Sequence, residues 1–102
     1  MYEVLSTDEF ENWYKDLKDG KVRVRITDNL NRMKDGNFGI TRFVGDGVYE
    51  KKINLGAGYR VYYFIKKGHL IIVLCGGTKR TQKSDIEKAK HIRKELNDSY
   101  VA

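Results

Sequence analysis

Val48-Tyr49-Glu50-Lys51-Lys52-Ile53-Asn54-Leu55 leads through Gly56-Ala57-Gly58 into Tyr59-Arg60-Val61-Tyr62-Tyr63-Phe64-Ile65-Lys66. Lys67-Gly68 and His69 then precede Leu70-Ile71-Ile72-Val73-Leu74-Cys75. These are three runs rich in β-branched and aromatic residues, separated by short glycine turns, and they predict an antiparallel meander. The last run is apolar at every position, so it belongs inside a sheet covered on both faces. Ile40 to Val44, closed by Gly45-Asp46-Gly47, predicts one more strand ahead of the three.

On either side of the meander the period changes to that of helices. Ser6 and Glu9 form an S-x-x-E capping box. Phe10, Trp13, Tyr14 and Leu17 follow at the spacing of one helical face, which predicts a core stripe. Asp19-Gly20 ends that helix. A second runs from Lys21 to about Lys34, with Val22, Ile26, Leu30 and Met33 on one stripe and Arg23, Arg25 and Arg32 elsewhere. The short break between the two predicts an antiparallel helical hairpin. Tyr2 to Leu5 predicts a short edge strand. After Gly76-Gly77 and a polar stretch, Thr78 to Gln82, a last helix starts near Thr81 or Gln82. It turns Ile86, Ala89, Ile92 and Leu96 inward. The expected fold class is α+β: a helical hairpin on a mainly antiparallel sheet, with a C-terminal helix.

The 102 residues, 40% hydrophobic and 33% charged, fit a single domain over 1–102. One cysteine, Cys75, excludes an internal disulfide framework. The apolar runs are too short to span a bilayer and Met1 opens into acidic residues, so a cytoplasmic protein without a membrane partner is expected. Charge is unevenly spread. Residues 1–19 carry six acidic and two basic side chains, net −4, whereas the rest carries 18 basic and 8 acidic, net +10. That balance suits a polyanion, nucleic acid first, then an acidic protein or an anionic membrane. The plain alternative is charge that keeps a small domain soluble.

Strand alternation singles out the candidate chemistry. With Ile53, Leu55, Val61, Tyr63 and Ile65 toward the core, Glu50, Lys52, Arg60 and Tyr62 fall together on the opposite face. Lys79 and Arg80 can lean over that face. Cations, one carboxylate and aromatics suit a phosphodiester with a base stacked beside it; an ordinary solvated sheet face with Glu50 paired to Lys52 or Arg60 is the alternative. Cys75 reads as a small buried residue. His69 and His91 stand apart and specify no zinc site. No phosphate-cradling loop is found, because neither glycine turn leads from a strand into a helix. No cofactor is expected.

Several stretches together resemble the RelE/ParE superfamily of bacterial toxins, and in particular the addiction-module killer proteins of the HigB-like group. They are Phe10-Glu11-Asn12-Trp13 with Leu17-Lys18-Asp19, Gly36-Asn37-Phe38-Gly39, Gly45-Asp46-Gly47-Val48-Tyr49-Glu50, Gly56-Ala57-Gly58-Tyr59-Arg60-Val61-Tyr62 and Gly76-Gly77-Thr78-Lys79. Thr81-Gln82-Lys83-Ser84-Asp85-Ile86 and Ala89 complete the set. The resemblance implies a RelE-like fold and a ribosome-associated mRNA endonuclease. Its cognate antitoxin would be a small helix-turn-helix DNA-binding protein. It implies cleavage by the neighbouring ribose 2′-hydroxyl, without metal, with Arg60, Lys52 and Lys79 at the phosphate and Glu50 as a candidate base. Tyr62, Arg80, Gln82 and Lys83 are the implied RNA contacts.

The chain departs from RelE itself at Glu50, where RelE has a basic residue, and near Asp85, where RelE has a functional tyrosine. It departs from the HigB-like group at Thr78 and Arg80. A ParE-like poison of DNA gyrase, or an inactive antitoxin-binding module, is the alternative function.

Overall fold

A computed structural model describes residues 1–99. In chain order its elements are β1 (Glu3–Ser6), α1 (Asp8–Asp16), α2 (Gly20–Lys34), β2 (Ile40–Gly45), β3 (Val48–Ile53), β4 (Tyr59–Lys66) and β5 (Leu70–Thr78). A 3₁₀ turn (Lys79–Thr81) and α3 (Gln82–Ser99) follow. The five strands form one sheet in the order β1-β5-β4-β3-β2. β2 to β5 are the antiparallel meander, and β1 lies parallel to β5 along the other edge. This is the expected α+β architecture. Among the described residues no helix is long and apolar enough to cross a membrane.

Each face of the sheet carries its own core. Phe10, Val22, Ile26 and Met33 from the helical hairpin pack on Ile53, Val61, Tyr63, Ile71 and Val73. The hairpin is tied by Tyr14, whose hydroxyl donates to the Arg23 carbonyl at 3.2 Å and lies 2.7 Å from the Thr27 hydroxyl. On the other face Ala89 of α3 meets Val48, Tyr62, Phe64, Leu74 and Cys75, with Ile86, Ile92 and Leu96 packed around them. A bulge in β5 between the partners of Tyr62 and Tyr63 lets the adjacent Leu74 and Cys75 both serve this second core.

Three local expectations need correction. Ser6 is not the cap of α1: it ends β1, and the Thr7 side chain accepts from the Phe10 N–H instead. Thr7 fits better because its hydroxyl also donates to the Leu74 carbonyl at 2.6 Å, which joins the helix start to β5. The third strand is shorter than the alternation suggested, and Leu55 packs on the core from the loop beyond it. The last strand does not stop at Cys75, because β5 runs on through Gly76-Gly77 to Thr78. A Cβ on Gly76 would collide with the Trp13 ring, and one on Gly77 with the Asp85 carboxylate. The glycines are needed so that α1 and α3 can approach the sheet from opposite sides.

Gly76→Ala should therefore destabilise the domain by about 1–3 kcal/mol, as overpacking against a rigid ring does. Thermal unfolding followed by circular dichroism should show a fall in Tm of about 4–8 °C for each kcal/mol. An unchanged Tm would mean that the sheet does not need this close approach.

Candidate functional site

The site grows from the pairing of β3 and β4. Their register sets Lys52 opposite Arg60 and Glu50 opposite Tyr62, all on the α3 face. At its inner end that face is not open. Glu50 is 4% and Arg60 6% exposed. Tyr62 is wholly buried in the second core, so its ring offers no surface to a base. The reason is α3: the helix covers the inner rows of the sheet and leaves the β3–β4 end to solvent.

Glu50 is the hub. One carboxylate oxygen accepts from Arg42 Nε at 2.9 Å. The other accepts from Gln82 Nε2 at 2.8 Å and from the Tyr62 hydroxyl at 3.1 Å, with Arg60 Nε 3.7 Å away. Burial by itself would raise the pKa of Glu50, but the hydrogen bonds from Arg42, Gln82 and Tyr62 outweigh it and hold the carboxyl below its ordinary value. Tyr62 moves the opposite way, raised first by burial and then by the neighbouring Glu50 charge.

Arg60 is held from two sides. Its Nη1 donates to the Gly58 carbonyl at 2.7 Å, and its Nε is buried without a hydrogen-bond partner. Gly58 adopts φ +73°, and a Cβ there would stand 3.3 Å from Arg60 Nη1. Glycine thus allows the loop to fold down on the guanidinium. The same loop, with Lys52, Asn54, Arg60 and Lys79, walls a shallow concavity of about 400 Å³. Its lining contains three cations and no carboxylate, an arrangement that fits a phosphate.

The other expected contacts divide. Lys79, Arg80 and Lys83 are exposed around the turn into α3, and Lys79 alone of these lines the concavity. Gln82 is half-buried and spends its amide on Glu50. Asp85 is buried under Gly77 and takes a hydrogen bond from the Thr81 hydroxyl at 2.5 Å. The Cys75 thiol is buried and pushed up to about 12, by burial foremost and by the Asp85 charge next, which suits a packing residue. His69 is exposed in the β4–β5 turn, and His91 lies beside Glu95 at 3.4 Å. No group of three or more His, Cys, Asp and Glu side chains able to hold a metal occurs among the described residues.

Two residues escaped the sequence analysis. Arg42 stands opposite Glu50 in the register of β2 and β3. Lys51, 2% exposed, points to the hairpin face and donates to the Phe38 carbonyl at 2.7 Å. A lysine in the inward row of a strand was the available signal for the second.

A helical hairpin and a C-terminal helix on opposite faces of this five-stranded sheet define a domain of the RelE-like fold. The chain belongs to the phage-derived Gp49-like protein family, a family of RelE/HigB-type toxins, whose model matches residues 12–97. A curated relative from Haemophilus influenzae (strain Rd), described as an uncharacterized protein, is 40% identical over 94 residues. The match covers 92% of this chain and 95% of the relative. The fold also matches a chain in the crystal structure of the intact E. coli RelBE toxin–antitoxin complex, with TM-score 0.60 and 16% identity. That match covers 76% of this chain and 96% of the other.

Glu50→Gln should cost about 3–5 kcal/mol near neutral pH, because it removes the counter-charge of a buried pair. The folded pKa of Glu50 is depressed, so the stability it contributes is present above the unfolded value and is lost as pH falls through the folded one. Urea unfolding at a series of pH values should show the gap between wild type and variant closing below the ordinary carboxylate value of 4.5. A gap independent of pH would contradict the ionised hub.

Proposed function

We propose that this chain is the toxin of a bacterial toxin–antitoxin module and acts as an endoribonuclease on mRNA at the ribosome, in the cytoplasm. The observation that carries this reading is the state of Arg60: buried, ion-paired to Glu50, clamped by Gly58, and facing a carboxylate-free concavity shared with Lys52 and Lys79. Such a preorganised guanidinium is suited to charge that develops on a phosphate in the transition state.

The reaction this supports is attack of a ribose 2′-hydroxyl oxygen on the adjacent phosphorus, its proton passing to water, with cleavage of the bond to the 5′-oxygen, which takes up a proton as it leaves. Arg60 takes the growing charge on the non-bridging oxygens. Lys52 and Lys79 border the same space, where an ammonium can neutralise the phosphate or give a proton to the departing 5′-oxygen. Glu50 receives the task of positioning Arg60 in place of the base role, since its oxygens are buried and already accept three hydrogen bonds. Arg80 and Lys83 serve as outer RNA contacts from the turn into α3. The step needs no metal. The cognate antitoxin, a small helix-turn-helix DNA-binding protein, would silence the toxin by covering this basic end.

The test is to express the toxin briefly and map the new RNA ends. Wild type should produce fragments with 5′-hydroxyl and 2′,3′-cyclic or 3′-phosphate ends. Arg60→Ala should cut about 100–1,000-fold more slowly, the usual cost of deleting one donor to a developing oxyanion. Lys79→Ala, at an exposed position, should also slow cutting while leaving Tm unchanged. Fragments with 5′-phosphates would refute the mechanism. Uncut RNA together with gyrase-linked DNA breaks would favour the ParE-like alternative, and neither effect would leave an inactive antitoxin-binding module.

A further inference from the structure

A second cationic concavity lies around the β3 end from the first. Arg25, Asn29 and Arg32 recur at i, i+4 and i+7, which puts them on one flank of α2 beside its buried stripe. They face the Gly39–Ile40 segment and the end of β3, and with Lys51, Lys52, Ile53 and Asn54 they wall a space of about 340 Å³. Lys52 and Asn54 line both concavities. The two therefore form one basic path that wraps the exposed end of the sheet.

Lys51 is the unusual member. It occupies the inward row of β3 between Tyr49 and Ile53, and its amine is buried with one hydrogen bond, to the Phe38 carbonyl. An ammonium has three protons to donate. Among the described residues no carboxylate lies within 4.0 Å of Arg25, Arg32, Lys51 or Lys52. Burial, and then the charge of Arg32, hold the Lys51 amine below its ordinary value. Tethering the Phe38 loop accounts for Lys51 alone; it gives no reason for two arginines to be added beside a buried amine, where like charges repel. An anion seated among them would relieve both the repulsion and the unpaired burial.

We infer that the concavity of Arg25, Arg32 and Lys51 is a second phosphate subsite, which holds a backbone phosphate of the same single-stranded RNA whose scissile group meets Arg60. This assignment rests on the proposed RNA-cleaving function for the identity of the strand. It adds a direction: the RNA passes from the Arg60 concavity across Lys52 to the flank of α2. Arg25 and Arg32 are positioning residues in this scheme. They hold the strand in register and touch no reacting atom.

Binding of a fluorescent 2′-O-methyl oligoribonucleotide, in which the attacking oxygen is blocked, tests this by anisotropy over a series of salt concentrations. Arg25→Ala and Arg32→Ala lie at exposed positions, so circular dichroism should report an intact fold. Each should weaken binding roughly tenfold, as loss of a charge-assisted contact does. Each should also flatten the slope of log affinity against log salt by about 0.7, the increment for one single-strand phosphate. Lys67→Ala, in the β4–β5 turn at the far end of the meander, should alter neither quantity. Variants that bind like wild type, or bind more weakly with an unchanged slope, would overturn the subsite.

The two ideas fail separately. Unmodified RNA that is cut while the α2 variants bind normally removes the subsite and spares the cleavage. Binding that depends on Arg25 and Arg32 without any cutting does the reverse. A protein with no measurable affinity for the oligonucleotide overturns the subsite, and cutting of ribosome-bound mRNA is judged by the end mapping alone.

Discussion

The site depends on one buried carboxylate. Glu50 sits inside the α3 face of the sheet with Arg42 on one oxygen and Gln82 and Tyr62 on the other, and Arg60 beside it. A charge in that place is tolerable only because both oxygens are answered. In return it ties together four segments: β2 through Arg42, β3 through itself, β4 through Tyr62 and Arg60, and the start of α3 through Gln82. Arg60 is consequently a fixed guanidinium at the edge of the core, where a surface arginine would sweep through solvent. Fixed charge is what electrostatic catalysis uses, because no reorganisation is then required when charge develops.

The packing around the hub explains why the cations collect at one end. Helices cover both faces of the sheet, and the glycine pair in β5 lets Trp13 and Asp85 close in from opposite sides. The β3–β4 end stays open, as does the β2 edge with Ile40 and Phe43. Lys51 and Lys52 are adjacent on one strand and so point to opposite faces; Lys51 lines the concavity beside α2, and Lys52 borders both concavities. Part of the basic body seen as +10 in composition gathers in the fold around this end; Lys67 lies at the other end of the meander, and Lys88, Lys90, Arg93 and Lys94 are on α3.

The sequence was most informative where periods were clean. Short glycine loops and strict alternation in β3 and β4 put Glu50, Lys52, Arg60 and Tyr62 on one face; the register adds that Lys52 stands opposite Arg60 and Glu50 opposite Tyr62. The apolar run at Leu70 likewise lies inside the sheet, with both faces covered. What alternation cannot tell is which element lies over the second face. Tyr62 and Glu50 looked exposed because α3, separated from them by a whole strand, could not be placed. Arg42 was lost for a sharper reason. Reading Ile40 to Val44 as a strand does not pair it residue by residue with the next one, so Glu50, the partner of Arg42 beside the bulge between Phe43 and Gly45, went unread. The last strand pattern ends at Cys75 because glycine weakens it, whereas Gly76 and Gly77 continue β5 and provide room for side chains from other elements.

The central claim is that this fixed cationic end acts on the phosphate next to a ribose hydroxyl. The most direct measurement replaces the 2′-hydroxyl at a mapped cleavage position with hydrogen and follows single-turnover cutting of the programmed ribosomal complex. The account predicts that the substituted mRNA is bound as well as the natural one and is not cut at that position. Cleavage there at an undiminished rate would show that the 2′-oxygen is not the nucleophile, and would contradict the account.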